Sequence, residues 1–198
     1  MNMDPQAKKE WLRKFMWQQI SSTLVFIIGL IACYQGALRR ILWLGPLVIL
    51  IIAITRFVGN KEWLAELKLV VSVGVIGLIL ESLLITVGIY TANTDTRWVL
   101  PAPICPEWSW ALWINFGLKM KDYMWVMKGK PVRGFLVGLF FGIMIFSSVQ
   151  RMGLGTLNYG KISILIGAVS WGIIVPLLFH IASKILVLPS FSGAESKK

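Results

Sequence analysis

Residues Leu67–Tyr90 read LKLVVSVGVIGLILESLLITVGIY. A membrane-spanning helix needs about 20 predominantly apolar residues, and this run supplies them. Near its middle stands Glu81, followed by Ser82. An ionisable group at that depth is costly, so it normally faces a bundle interior, a partner or water. Any function carried inside the membrane is therefore expected to involve Glu81.

The rest of the chain has the same character. Its 198 residues are 57% hydrophobic, with a mean hydropathy of +0.73. A soluble domain of this length does not need so many apolar residues. Several runs reach spanning length, which describes one polytopic domain with no separate soluble unit. The net charge of +11 comes from bases that flank the apolar runs. Membrane topology and anionic phospholipid account for such bases better than nucleic acid, which is not expected as a partner. Cys33 and Cys105 fall in a membrane segment and an outer loop, so neither a disulfide nor a metal site is expected.

The expected architecture is an all-α, polytopic membrane bundle of six transmembrane helices. The spans fall near 20–38, 41–58, 67–90, 108–127, 132–149 and 161–188, the last kinked at Pro176. Before them, residues 1–19 place Trp11, Leu12, Phe15 and Met16 on one helical face beside Lys9, Arg13 and Lys14. That pattern is either a short interfacial helix on anionic lipid or the polar flank of the first span. Residues 189–198 read as a disordered cytoplasmic tail. Leu30-Ile31-Ala32-Cys33 looks like a lipoprotein cleavage site, but the charged lead is long for a signal peptide and further spans follow. With both termini in the cytoplasm, 15 Lys and Arg lie inside and 5 outside. This bias predicts a multi-pass protein of the bacterial inner membrane.

Four constellations are candidates for chemistry. In the fourth span Trp108, Ala111, Asn115, Lys119 and Asp122 share one helical face. Asn115, Lys119 and Asp122 are expected to meet Glu81 and Ser82 on the neighbouring antiparallel span, as a functional polar site or as structural glue. His180, with Lys184 one turn on, is a secondary candidate: a proton relay with Asp122, or a boundary residue. Trp98, Trp108, Trp110 and Trp113 cluster toward the outer side, as an interfacial aromatic belt or a stack for a flat or cationic solute. Gly134, Gly138 and Gly142 mark a face for close helix contact, within the bundle or with a partner. There is no P-loop, dinucleotide fingerprint, nucleophile elbow, zinc motif or haem motif. No cofactor, metal or catalytic residue is assigned, and these absences weigh against an enzyme.

A longer series of residues carries a resemblance. It runs through Gly77, Glu81-Ser82-Leu83-Leu84, Gly88, Pro103, Pro106-Glu107-Trp108, Ala111-Leu112-Trp113, Phe116, Trp125, Trp171-Gly172 and Pro176-Leu177. The chain resembles a family of small proteobacterial inner-membrane proteins that form a domain of unknown function. Genes of that family often lie near enzymes that modify membrane fatty acids, such as cyclopropane fatty-acid synthase. The resemblance implies an accessory role in membrane-lipid modification. The stretch Lys119-Met120-Lys121-Asp122 departs from the family pattern.

The expected function is that of a non-catalytic membrane accessory protein that binds lipid or a membrane or peripheral protein partner. A rival is the substrate-binding subunit of a vitamin transporter, with the Trp-rich outer loop holding the solute. The small-residue docking motif of such subunits is missing from the first span, where Ala32 and Gly36 are a loose echo. A third reading is an intramembrane enzyme using Glu81.

Overall fold

The computed structural model describes residues 5–186. Six helices and two short strands follow one another: α1 (Pro5–Leu38), α2 (Leu44–Phe57), α3 (Trp63–Thr86), β1 (Tyr90–Ala92), α4 (Glu107–Met127), α5 (Pro131–Arg151), β2 (Gly155–Leu157) and α6 (Lys161–Ile185). Four helical segments are long and apolar enough to cross a membrane: Phe15–Leu38 of α1, and all of α3, α5 and α6. The fold is thus the expected helical bundle, with the composition of a membrane protein. The other two helices differ in kind. α2 has 14 residues. α4 has 21 but carries Glu107, Lys119, Lys121 and Asp122.

α4 is the centre of the bundle and packs on α1, α2, α3 and α6. Its core-facing side chains include Trp108, Trp113, Phe116, Met120 and Met124, all buried. α5 is held mainly by α6. The glycine series on α5 serves that pairing: Gly134 faces Pro176, Gly138 faces the Trp171 carbonyl and Gly142 faces the Ala168 backbone. A Cβ at Gly138 would run into the α6 backbone, so the two helices approach as closely as they do because that atom is missing.

Three features differ from the sequence expectation. First, residues 5–19 continue into the first span without a break, so no separate interfacial helix forms. The 34 residues of α1 correspond to about 51 Å at 1.5 Å per residue. The side chains of Trp11, Leu12 and Lys14, and the tail at 189–198, lie outside the described residues. Second, α3 starts and stops four residues earlier than expected. Gly88 takes φ 75°, and the Gly88 and Ile89 N–H groups close back on the carbonyls of Ile85 and Leu84. This is a glycine stop, which only a residue without Cβ adopts cheaply. Glu81 therefore lies one turn and a half from the helix end, not at its middle. Third, β1 and β2 pair antiparallel, Tyr90 with Leu157 and Ala92 with Gly155. This ribbon joins the α3–α4 and α5–α6 connections at one end of the bundle.

The α3–α4 loop is pinned from within. The Glu107 carboxylate accepts the backbone N–H groups of Trp98 (3.0 Å), Val99 (2.5 Å) and Leu100 (2.5 Å). Arg97 Nη1 donates to the Ile104 carbonyl at 2.6 Å.

Candidate functional site

Two polar centres lie at different depths. The first surrounds Glu81, which is 2% exposed. Tyr90, delivered by the chain reversal after Gly88, donates its hydroxyl to Glu81 Oε2 at 2.6 Å. Trp113 of α4 and Trp171 of α6 stack with ring centroids 3.9 Å apart. Their indole N–H groups are turned toward the carboxylate but do not close hydrogen bonds; Glu81 Oε1 and both Nε1 atoms are buried without a partner. Ser82 accepts the Cys105 backbone N–H at 2.9 Å. Burial, and then the nearby Glu81, push the Cys105 thiol and the Tyr90 hydroxyl well above their usual titration ranges. Glu81 thus faces α4 and α6, and its polar partner is Tyr90, while Asn115 and Lys119 are engaged elsewhere.

The second centre lies at the opposite end of the bundle. Lys119, 3% exposed, donates to Ser22 Oγ of α1 at 2.8 Å and pairs with Asp122 at 3.4 Å. Ser22 in turn donates to Asp122 Oδ2. Arg56, in the last turn of α2, reaches Asp122 at 3.1 Å and Glu66 at 3.0 Å. Lys121 pairs with Glu66 at 2.5 Å and Glu62 at 2.8 Å. Asn115 Nδ2 donates to the Phe26 carbonyl of α1 at 2.9 Å.

The polar seam read from the sequence is real, but it meets α1 and α2 instead of Glu81. The reason is angular. Trp113 and Asn115 are two positions apart, about 200° around a helix. With Trp113 turned to α3 and α6, Asn115 must turn to α1. The room for it is made by Gly29, where a Cβ would run into the Asn115 amide.

This centre forms the wall of a cleft of about 560 Å³ between α1, α2 and α4. α1 and α2 touch near their shared turn, where a Cβ on Gly45 would come 2.8 Å from Cys33 Cα. They splay toward the other end, and the cleft fills the gap. Its surface passes from Val25, Phe26 and Ile52 to Arg56, Lys119 and Asp122. The cleft is therefore amphipathic along its length. Its size falls within the range of about 300–1,000 Å³ usual for small-molecule sites.

The other candidates do not assemble. Trp98 is 58% exposed, whereas Trp108 is buried against Tyr34 with ring centroids 5.8 Å apart. Trp110 donates to the Gly74 carbonyl at 3.0 Å. With Trp113 stacked on Trp171, the four indoles share no open face and make no platform for a solute. They are spent on packing because α4 lies at the centre of the bundle. His180 is exposed on α6, beside a smaller cavity of about 180 Å³ that Lys128 and Lys130 also line. Asp122 is engaged by Arg56, Lys119 and Ser22, and this leaves no His180–Asp122 relay.

Sequence reading passed over Arg56, Glu66, Ser22, Lys121 and Tyr90 as site residues. The first two carried a signal, since opposite charges closing two successive apolar helices across a short turn invite pairing. Tyr90 carried none, because its role depends on where α3 stops.

The model of a family described as "Protein of unknown function (DUF2878)" matches residues 19–177, and the chain belongs to that family. No curated protein and no solved structure matches the chain.

Proposed function

We propose, with that membership as the premise, that this protein is an integral inner-membrane accessory protein whose α1–α2–α4 cleft binds a membrane lipid. In this reading all six helices cross the bilayer and both termini are cytoplasmic. Supporting it, the inside-to-outside count of Lys and Arg is 15 to 5, and the ionic centre lies at the base-rich end. α4 then crosses inside the bundle, shielded from acyl chains by its neighbours. The observation that carries the reading is the graded wall of the cleft. Val25, Phe26 and Ile52 suit acyl methylenes, and Arg56, Lys119 and Asp122 suit a headgroup at the inner leaflet. A bound lipid presented in this way fits a supporting role in fatty-acyl modification.

The test is native mass spectrometry and lipid analysis of the full chain purified in mild detergent. Val25 lines the cleft and is 40% exposed, so Val25→Trp fills the space without entering the ionic network. Wild type is expected to retain lipid, and Val25→Trp to lose it while melting at the same temperature. Retention that is equal in the two proteins would overturn the assignment.

A further inference from the structure

The ionic centre is balanced. Arg56, Lys119 and Lys121 face Glu62, Glu66 and Asp122, and each side chain is paired within the group. Half of it is buried: the side chains of Lys119, Glu66 and Asp122 are 3%, 6% and 12% exposed. A guest of net charge entering such a centre leaves one charge unmatched where water is scarce, and that is strongly unfavourable. A guest bearing one charge of each sign leaves the balance intact.

The more exposed members are of both signs. Arg56 and Lys121, which line the cleft, have side chains 23% and 30% exposed, and Glu62, which pairs with Lys121 from outside that lining, is 54% exposed. Arg56 offers a planar donor fork suited to phosphate oxygens. The carboxylates that line the cleft, Glu66 and Asp122, are acceptors only, so a guest group set against them must donate. A primary ammonium donates three N–H bonds, whereas a quaternary ammonium donates none.

From this geometry we infer that the cleft selects a zwitterionic phospholipid with a primary ammonium, the phosphatidylethanolamine class. The inference rests on the proposed lipid-binding reading and specifies its substrate class. The phosphate is received by Arg56 and Lys121, and the ammonium by the carboxylates of Glu66 and Asp122, all four of which line the cleft. The acyl chains leave along Val25, Phe26 and Ile52.

The experiment presents the full chain with equimolar phosphatidylethanolamine, phosphatidylcholine and phosphatidylglycerol of identical acyl chains. Bound lipid is read by native mass spectrometry. The cleft-dependent fraction is the part lost in Val25→Trp. That fraction is expected to be enriched in phosphatidylethanolamine over both others. Glu62→Gln keeps the shape of an exposed side chain and leaves one cation in excess. It is expected to move the ratio toward phosphatidylglycerol by about fivefold, the effect of one charge near an anionic lipid. Equal retention of phosphatidylethanolamine and phosphatidylcholine, a preference for phosphatidylglycerol, or an unmoved ratio in Glu62→Gln overturns the inference while lipid binding stands. Absence of any cleft-dependent fraction overturns the lipid-binding reading itself.

Discussion

Glu81 and Tyr90 form a bond whose strength can be isolated by a mutant cycle. Glu81→Leu removes the acceptor and strands the Tyr90 hydroxyl, which is 2% exposed as a residue. Leaving a buried donor unsatisfied costs about 1–3 kcal/mol. Tyr90→Phe removes the donor and leaves the carboxyl with both oxygens unpartnered, since Oε1 already has no hydrogen bond. Its cost falls in the same range or above it, about 2–3 kcal/mol. The double variant Glu81→Leu/Tyr90→Phe strands neither group. Apolar replacement of both partners is close to neutral when the shapes are similar. The double variant is therefore expected to be more stable than either single one, with a coupling of about 2 kcal/mol or more. Glu81→Gln retains an acceptor for Tyr90 and is expected within about 1 kcal/mol of wild type. The assay is reversible unfolding in mixed micelles, followed by far-ultraviolet circular dichroism. Additivity of the two single effects within about 0.5 kcal/mol would refute the bond as a determinant of stability.

Two further outcomes follow from the packing and the proposed topology. Gly77→Ala places a methyl group inside the Trp113 ring system; overpacking of this kind costs about 1–3 kcal/mol, and a lower unfolding midpoint than wild type is expected, whereas an unchanged midpoint would contradict the close α3–α4 approach. For topology, both native thiols are buried and Cys105 is further held as the unreactive thiol, so labelling is expected to report introduced cysteines: Val99→Cys, 70% exposed in the wild type, should react with an impermeant maleimide on intact spheroplasts and Lys128→Cys only after lysis, and the reverse pattern would invert the orientation.

The helices were legible because apolar length and helical period are local properties. The expected starts and ends of the last three helices agree with the structure to within a few residues. The polar face of α4 was legible for the same reason. Its neighbour was not, because periodicity defines a face without saying what lies opposite it. Trp113 decides that question by stacking on Trp171, a contact between residues far apart in the chain. The ribbon of β1 and β2 was hidden too. Each strand has three residues, Tyr-Thr-Ala and Gly-Thr-Leu, too short for an alternating pattern to register. The misplaced depth of Glu81 traces to the single glycine stop at Gly88, which ended α3 before the apolar run was exhausted.

The ribbon has a mechanical consequence. It ties two helical hairpins together at one end, and the Arg40–Asp95 pair at 2.7 Å fastens the α1–α2 turn to the same end. Bodies clipped at one end move like the arms of tongs, with travel proportional to distance from the pivot. α4, one wall of the cleft, has 21 residues, a lever of about 32 Å. A tilt of about 5° at the ribbon therefore swings the far tip by about 3 Å. Aperture changes are concentrated in the jaws, where Arg56, Asp122 and the mouth of the cleft lie, while the surroundings of Glu81, close to the pivot, hold almost still.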